Sequence, residues 1–183
     1  MTDIFLERTF DPPIDTASVH QMALDSLDCF NIHGVDWHQS SLASDGGKMV
    51  CWFGAPDMES ARIAMRQSNV DTRVLWRGSV HDKPGLSEDE LAAANVLVER
   101  RFDEPVTLAQ VQAIEDAGIH CLETRDVHFV RTYFSADCRR MICFYRGPDA
   151  ESVREAQRQA GVPFTEAWAF RAIAPADLQR ASG

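Results

Sequence analysis

Three side chains that can bind a metal ion lie close together in the first half of the chain: His33, Asp36 and His38. Imidazole nitrogens and carboxylate oxygens are common ligands of Ni²⁺ and Zn²⁺. His33 falls in a predicted turn and His38 in a predicted strand, so their spacing alone fixes no coordination geometry. The cluster therefore predicts either a divalent transition-metal site or histidines that are exposed or hydrogen-bonded.

Two glutamates lie in the middle of apolar, β-rich segments. Glu7 and Glu99 are each followed by an arginine, which alternation places on the opposite face of the strand. A charge in an apolar strand must be paired or functional, because burying an isolated charge is costly. One interpretation is an ion pair within each half, for instance with Arg62 or Arg154.

The other interpretation is that these carboxylates, or the guanidiniums of the adjacent Arg8 and Arg100, line a cavity for a small, partly aromatic or anionic ligand. The predicted ligand-binding residues are Glu7, Glu99, Trp37, Arg131, Tyr133 and Trp52. The leading hypothesis is a non-catalytic protein that binds a small ligand or a transition metal, since no nucleophile, base and orienting group occur in a recognisable pattern. The alternatives are a cofactor-free oxygenase or isomerase acting on a small aromatic or polyketide-like substrate, and a protein that only presents an interaction surface.

The five cysteines form no Cys-x-x-Cys pair, which favours buried thiols in the core over a zinc site or a redox pair. Cys138 lies in a predicted turn. We therefore expect it to be the thiol that reacts most readily.

The elements that position these residues are written twice. Shifting the chain by 92 residues aligns Ile4 to Val80 with Val96 to Ala172 without a gap, and 22 of 77 pairs are identical. Chance would give roughly four or five identities from typical residue frequencies. The sequence therefore predicts two homologous modules.

Each copy contains the same series of structural signals. Alternating segments at 4–10 and 96–102 predict a first strand in each copy, and helical spacing follows from Val19 to Phe30 and from Leu108 to Leu122. A strand hairpin, a helix with an aspartate N-cap and a last strand complete each copy. This order predicts an α+β protein with two tandem ferredoxin-like βαββαβ modules, packed as a pseudo-twofold α/β barrel or sandwich. The expected boundaries are 1–81 for the first repeat, 82–94 for a linker, 95–175 for the second repeat and 176–183 for a C-terminal tail.

One stretch is similar to a known family. The segment Met141 to Glu155, with its Gly-Pro-Asp-Ala-Glu turn, resembles a family of small ferredoxin-like bacterial domains, one of which is described as a nickel-binding protein. The resemblance implies metal ligation by a histidine on the first hairpin strand and another on the second helix. Here those positions hold Gln39 and Arg131 on the strands, and Ala64 and Ala156 on the helices.

Composition narrows the partners. A formal charge of -10 disfavours nucleic acid and anionic membranes, both of which require a basic surface. The amino-terminal residues lack the basic start and apolar run of a signal peptide, so a cytoplasmic protein is expected. The anticipated partner is a small ligand or metal ion, and a homodimer is one possible assembly.

Overall fold

The computed structural model describes residues 1–181. The chain divides into two compact units. The first unit contains Met1–Gly78 together with the chain from Arg171 onward, and the second unit contains Ser79–Phe170. Two strands therefore begin in one unit and end in the other.

The first unit is a ferredoxin-like α+β fold. Its elements in chain order are β1 (Thr2–Thr9), α1 (Thr16–Ile32), β2 (Asp36–Ala43), β3 (Lys48–Ala55), α2 (Met58–Gln67) and β4 (Val74–Asp82), of which the last four residues count with the second unit. The strands are antiparallel in the order β4-β1-β3-β2. Val19 and Phe30 of α1 and Ala61, Ala64 and Met65 of α2 pack in one core with Ile4 and Leu6 of β1, so both helices cover the same face.

The second unit has the same strand order. Its elements are α3 (Glu88–Ala92), β5 (Val96–Arg101), α4 (Leu108–Ala117), α5 (Ile119–Glu123), β6 (His128–Ser135), β7 (Arg140–Arg146), α6 (Ala150–Gln159) and β8 (Glu166–Ile173), of which the last three residues count with the first unit. The sheet runs β8-β5-β7-β6 and is antiparallel. The predicted fold class, α+β with ferredoxin-like modules, is confirmed.

The 92-residue offset found in the sequence also aligns the strand registers. Arg8 lies opposite Met49, and Arg100 lies opposite Met141. The first hairpin strand of each unit carries a register shift at the equivalent place, next to Trp37 and next to Phe129. Equivalent positions in the two units can therefore be compared directly.

Helix N-caps and a turn glycine occur at the positions where helices begin and where the chain turns. Asp57 and Asp149 cap α2 and α6 through serine backbone amides, and Thr107 and Ser87 form capping boxes at α4 and α3. Gly46, in the turn between β2 and β3, has a φ of +75°, which glycine adopts without steric cost.

One predicted helix is broken. The apolar spacing from Leu108 to Leu122 predicts a single helix, but the structure has two, α4 and α5, joined at Gly118. The cause is a close approach to the end of α6, because a Cβ on Gly118 would lie 2.4 Å from the Cβ of Ala160. Tertiary packing therefore overrides the helical periodicity at this glycine.

Two further helices are not part of the predicted βαββαβ order. Helix α3 lies in the predicted linker 82–94, and α7 (Pro175–Ala181) begins at the last residue of the predicted second repeat and continues into the predicted tail 176–183. Residues 182 and 183 of that tail lie outside the described chain.

Candidate ligand-binding site

The first unit contains a cavity of about 220 Å³ between α1 and the sheet, which we call the α1 cavity. Most of its lining is apolar. The lining residues from the strands and α1 include Leu6, Arg8, Val19, Met22, Ala23, Ser26, Leu27, Phe30, Trp37, Ser40, Met49, Cys51 and Phe53, and Val70, Pro175 and Leu178 complete the wall. The lining also includes Asn31 and Asp36. These two residues and Leu27 are exposed to solvent, so the cavity opens to the surface on their side.

Helix α1 shapes the cavity because its inner face carries small residues. Ala23 and Ser26 stand where larger side chains would reach the sheet, and the Ser26 hydroxyl donates to the carbonyl of Met22 within the helix. This internal bond satisfies the hydroxyl, which is buried. The helix therefore presents a nearly apolar surface toward the sheet.

Arg8 supplies the positive charge of the cavity. Its guanidinium donates to the Sδ atom of Met22 at 3.3 Å and lies 4.8 Å from the centre of the Phe10 ring. A thioether is a weak acceptor, and among the described side chains no carboxylate stands within salt-bridge distance of Arg8. The hydrogen bonds from Arg73 are the main cause that lowers the pKa of the Asp71 carboxyl, and the charge of Arg8 is the smallest of the causes that lower it. The half-buried cation thus has no close anionic partner among the described side chains.

A short hydrogen-bonded chain runs along the same wall. The indole Nε1 of Trp37 donates to the Ser40 hydroxyl at 3.1 Å, and that hydroxyl donates to the Cys51 Sγ at 3.0 Å. Burial raises the pKa of the Cys51 thiol to about 11, against smaller lowering effects of the Ser40 hydrogen bond and the Arg8 charge. Cys51 is therefore a neutral thiol near neutral pH.

The predicted metal ligands do not come together. His33 Nε2 is 2.9 Å from Oε1 of Gln67, the His38 ring lies 4.5 Å from that of Trp52, and Asp36 is at the rim of the α1 cavity. Within residues 1–181 no group of three or more His, Cys, Asp or Glu side chains is placed to hold a metal ion. The register shift between Trp37 and Gln39 is one cause, because it changes the alternation of side chains at His38.

The two first-strand glutamates have tryptophan partners. The indole Nε1 of Trp76 donates to Oε1 of Glu7, and that of Trp168 donates to Oε1 of Glu99, each at 2.8 Å. The suggested arginine partners bind elsewhere: Arg62 lies 3.9 Å from Glu59, and Arg154 donates to Glu151 and to the carbonyl of Ala167. The suggested partners Arg62 and Arg154 are therefore wrong, but Glu99 does form an ion pair within its own unit, with Arg101 at 3.9 Å.

Of the six predicted ligand-binding residues, Trp37 lines the α1 cavity. Trp52 lies opposite Phe5 in the sheet and donates to Oδ1 of Asp3 at 2.8 Å. In the second unit, Arg131 binds Asp82 at 2.5 and 3.0 Å, and buried Tyr133 packs edge-on against Phe144. Glu7 and Trp52 belong to the sheet face that α1 and α2 do not cover.

The four positions of the family's histidines hold no metal ligand. Gln39 donates to the hydroxyl of Ser41, and Arg131 is committed to Asp82. Ala64 and Ala156 are fully buried in the two cores.

All five cysteines are free thiols. Cys51 and Cys143 are buried, whereas Cys29, Cys121 and Cys138 are partly exposed. Cys138 has a φ of 60°, in keeping with its predicted position in a turn.

Sequence reasoning missed Ser40 and Cys51 as cavity residues, and it considered Arg8 as a lining residue only as the alternative to the Glu7 carboxylate. A usable signal exists in the repeat itself, at positions where one copy is polar and the other is apolar or small. Ala23 against Glu115 and Phe53 against Tyr145 are two such positions.

The second unit has a wider depression of about 550 Å³, but most of its charged lining residues, Glu123 excepted, are already paired. Glu115 binds Arg100, Asp82 binds Arg131, and Lys83 binds Glu90. His81 is bonded to Ser79 and His128 to Asp126, both at 2.7 Å. The α1 cavity is therefore the better candidate for a ligand that needs a charged partner.

The second unit is the part of the chain that matches a known protein family. Residues 97–169 match the model of the family described as nickel responsive protein SCO4226-like. The crystal structure of SCO4226 from Streptomyces coelicolor A3(2) is 23% identical over 40% of this chain and 91% of its own, with a TM-score of 0.37. The family resemblance inferred from the sequence is confirmed for this part of the chain.

Longer matches concern the fold alone. The putative chlorite dismutase TA0507 is 11% identical over 98% of this chain and 97% of its own, with a TM-score of 0.53. A mutant chlorite dismutase from Candidatus Nitrospira defluvii in complex with cyanide is 10% identical over 98% of this chain and 93% of its own, with a TM-score of 0.52. No curated protein sequence shows significant similarity to the chain.

No helix among the described residues is both long enough and apolar enough to cross a bilayer.

Proposed function

We propose that this protein binds a small, predominantly apolar ligand in the α1 cavity without transforming it. The observation that carries the proposal is the cavity itself, which lies within one unit and is lined mainly by aliphatic and aromatic side chains. Engineered apolar cavities of about 150 Å³ hold benzene. A cavity of about 220 Å³ accommodates a somewhat larger molecule.

The polar groups of the lining support binding rather than catalysis. The Cys51 thiol is hydrogen-bonded by Ser40 and has a raised pKa, so it is a poor nucleophile. Asp36 lies at the exposed rim. Among the described lining residues no histidine, glutamate or lysine stands beside this thiol to act as a base.

The test is a titration of ¹⁵N-labelled protein with 1-hexanol, a neutral probe of suitable size, followed by two-dimensional NMR. Binding is expected to shift the indole NH of Trp37 and the amides of Ser40 and Cys51. The variant Ala23→Phe fills the cavity and should abolish these shifts. Leu24→Phe is the matched control, because Leu24 is the next residue of α1 and is 47% exposed.

An unchanged spectrum of the wild-type protein at millimolar 1-hexanol would reject this function. Equal loss of binding in the two phenylalanine variants would also reject the α1 cavity as its location.

Binding of a transition-metal ion is the second candidate, and the match of residues 97–169 to a nickel-responsive family favours it. Because the described residues supply no group of three ligands, such a site would use fewer protein ligands, with water completing the coordination. Calorimetric titration with Ni²⁺ tests this candidate, with His33→Ala and His38→Ala as variants. Absence of heat with the wild-type protein would remove it.

A further inference from the structure

Arg8 and Arg100 occupy equivalent positions on the first strands of the two units. They are 92 residues apart, they lie opposite Met49 and Met141, and each follows a glutamate bonded to a tryptophan. Their surroundings differ greatly. This difference shows which chemical group binds the arginine in one unit and is missing from the other.

In the second unit the arginine is neutralised by the protein. Arg100 is 1% exposed and donates to Oε1 of Glu115 at 3.1 Å, to the hydroxyl of Tyr145 at 3.0 Å and to Oε1 of Gln157 at 2.9 Å. The Tyr145 hydroxyl also donates to Oε1 of Glu115 at 2.7 Å. A carboxylate from the fourth helix therefore completes the guanidinium site, as burial of a charge requires.

In the first unit all three acceptor side chains are replaced. The residues at the positions of Glu115, Tyr145 and Gln157 are Ala23, Phe53 and Met65. Ala23 and Phe53 line the α1 cavity together with Arg8. The first unit thus keeps the cation and has lost the carboxylate, and cavity space adjoins the place where that carboxylate would stand.

We infer that the ligand of the α1 cavity is a small monocarboxylate, an aliphatic or aromatic acid whose carboxylate binds Arg8 as Glu115 binds Arg100. Its apolar part lies among Val19, Phe30 and Phe53. This inference rests on the proposed function and narrows it to one class of ligand.

The charged residues that line the cavity favour a ligand with one negative charge. The other charged lining residue, Asp36, pairs with Gly54 of β3, whereas Arg8 pairs with Met49. Five residues of strand separate the two positions by about 17 Å. A dianion such as phosphate would bring a second charge with no second cation among the described lining residues.

The experiment compares hexanoate with 1-hexanol at pH 7.5, using the same NMR titration. Hexanoate is expected to bind at least about tenfold more tightly, since a hydrogen bond to a charged group is stronger than one to a neutral group. Arg8→Met should remove this preference, so that this variant binds hexanoate no more tightly than it binds 1-hexanol, and Arg8→Lys should retain part of the preference. Circular dichroism checks that the variants are folded.

Ala23→Glu provides the complementary variant, because it restores the carboxylate that the second unit carries. It should abolish hexanoate binding, and Ala23→Gln, which has the same size and no charge, should weaken it less. If 1-hexanol binds and hexanoate binds no more tightly, the carboxylate inference is overturned while the proposed function stands. If 1-hexanol does not bind to the wild-type protein, the proposed function itself fails.

Discussion

The indole Nε1 of Trp168 donates a 2.8 Å hydrogen bond to Oε1 of Glu99, and the same bond joins Trp76 to Glu7. In both cases 69 residues separate donor and acceptor. The Glu99 side chain is only 13% exposed. Each bond ties the first strand of a unit to its last strand, which are neighbours in the sheet.

Replacement of Glu99 by alanine should lower the free energy of unfolding by about 1.5–3 kcal/mol, because it removes a charged acceptor from a mostly buried indole donor. Glu99→Gln keeps an oxygen acceptor and should cost less. Urea denaturation of Glu99→Ala, Trp168→Phe and the double variant measures the coupling. Additive losses in the double variant would show that the bond contributes nothing.

Removal of the Glu115 side chain should lower the free energy of unfolding more than removal of the Glu99 side chain does, because it leaves Arg100 buried without its carboxylate partner. The expected loss for Glu115→Ala is about 3–5 kcal/mol in urea denaturation. Arg8→Met serves as the matched control in the first unit and should cost much less, because Arg8 is half-buried and has no carboxylate partner among the described residues.

The Glu115→Ala variant also tests the chemistry of the guanidinium site. Acetate or propionate should restore part of the lost stability, whereas chloride at the same concentration should not. Equal effects of acetate and chloride would contradict a specific carboxylate site at Arg100.

Gly118→Ala should destabilise the second unit by about 1–3 kcal/mol, through overpacking against Ala160. Backbone strain is not the reason, since the φ of Gly118 is −98°. Ala160→Gly in the same chain should recover part of the loss, because it removes the Cβ that lies 2.4 Å from the new one but leaves the Cα of residue 160 at 2.9 Å. Thermal unfolding of the two single variants and the double variant measures this, and failure of the double variant to recover would point to another cause.

The carboxyl of Glu90 should titrate well below the usual range. Its hydrogen bonds from Lys83 and then from Ser87 lower its pKa to about 2 from 4.5. Because the folded pKa is depressed, the stabilisation that it gives to α3 is present above about pH 4.5 and is lost as the pH falls toward 2. A carboxyl-detected NMR titration should report this midpoint, and Lys83→Met should move it upward; a midpoint near 4.5 in the wild-type protein would contradict the bond.

Local chemistry explains what the sequence predicts well. Turn glycines and N-caps such as Gly46 and Asp57 depend on residues within a few positions of one another. Strand alternation likewise places the two residues of a pair such as Glu7 and Arg8 on opposite faces without reference to the rest of the fold. These features require no knowledge of long-range contacts.

The candidate site depends on long-range relations that one segment does not contain. Nothing near Glu99 in the sequence indicates that its partner is Trp168. Alternation places Glu7 and Arg8 on opposite faces of β1, but it does not show which of the two faces lines a cavity. The cavity on the Arg8 side arises from small and apolar residues, notably Ala23. That Ala23 is small for its position becomes clear only when the two copies are aligned position by position.

The segment after β8 has a consequence for handling this protein. Pro175 and Leu178, near the carboxyl end of the chain, complete the wall of a cavity that is otherwise built from the amino-terminal residues. Deletion of the chain from Pro175 onward would therefore remove two residues of the cavity wall. The shortened chain should bind the probes of the α1 cavity less tightly than the chain that keeps α7.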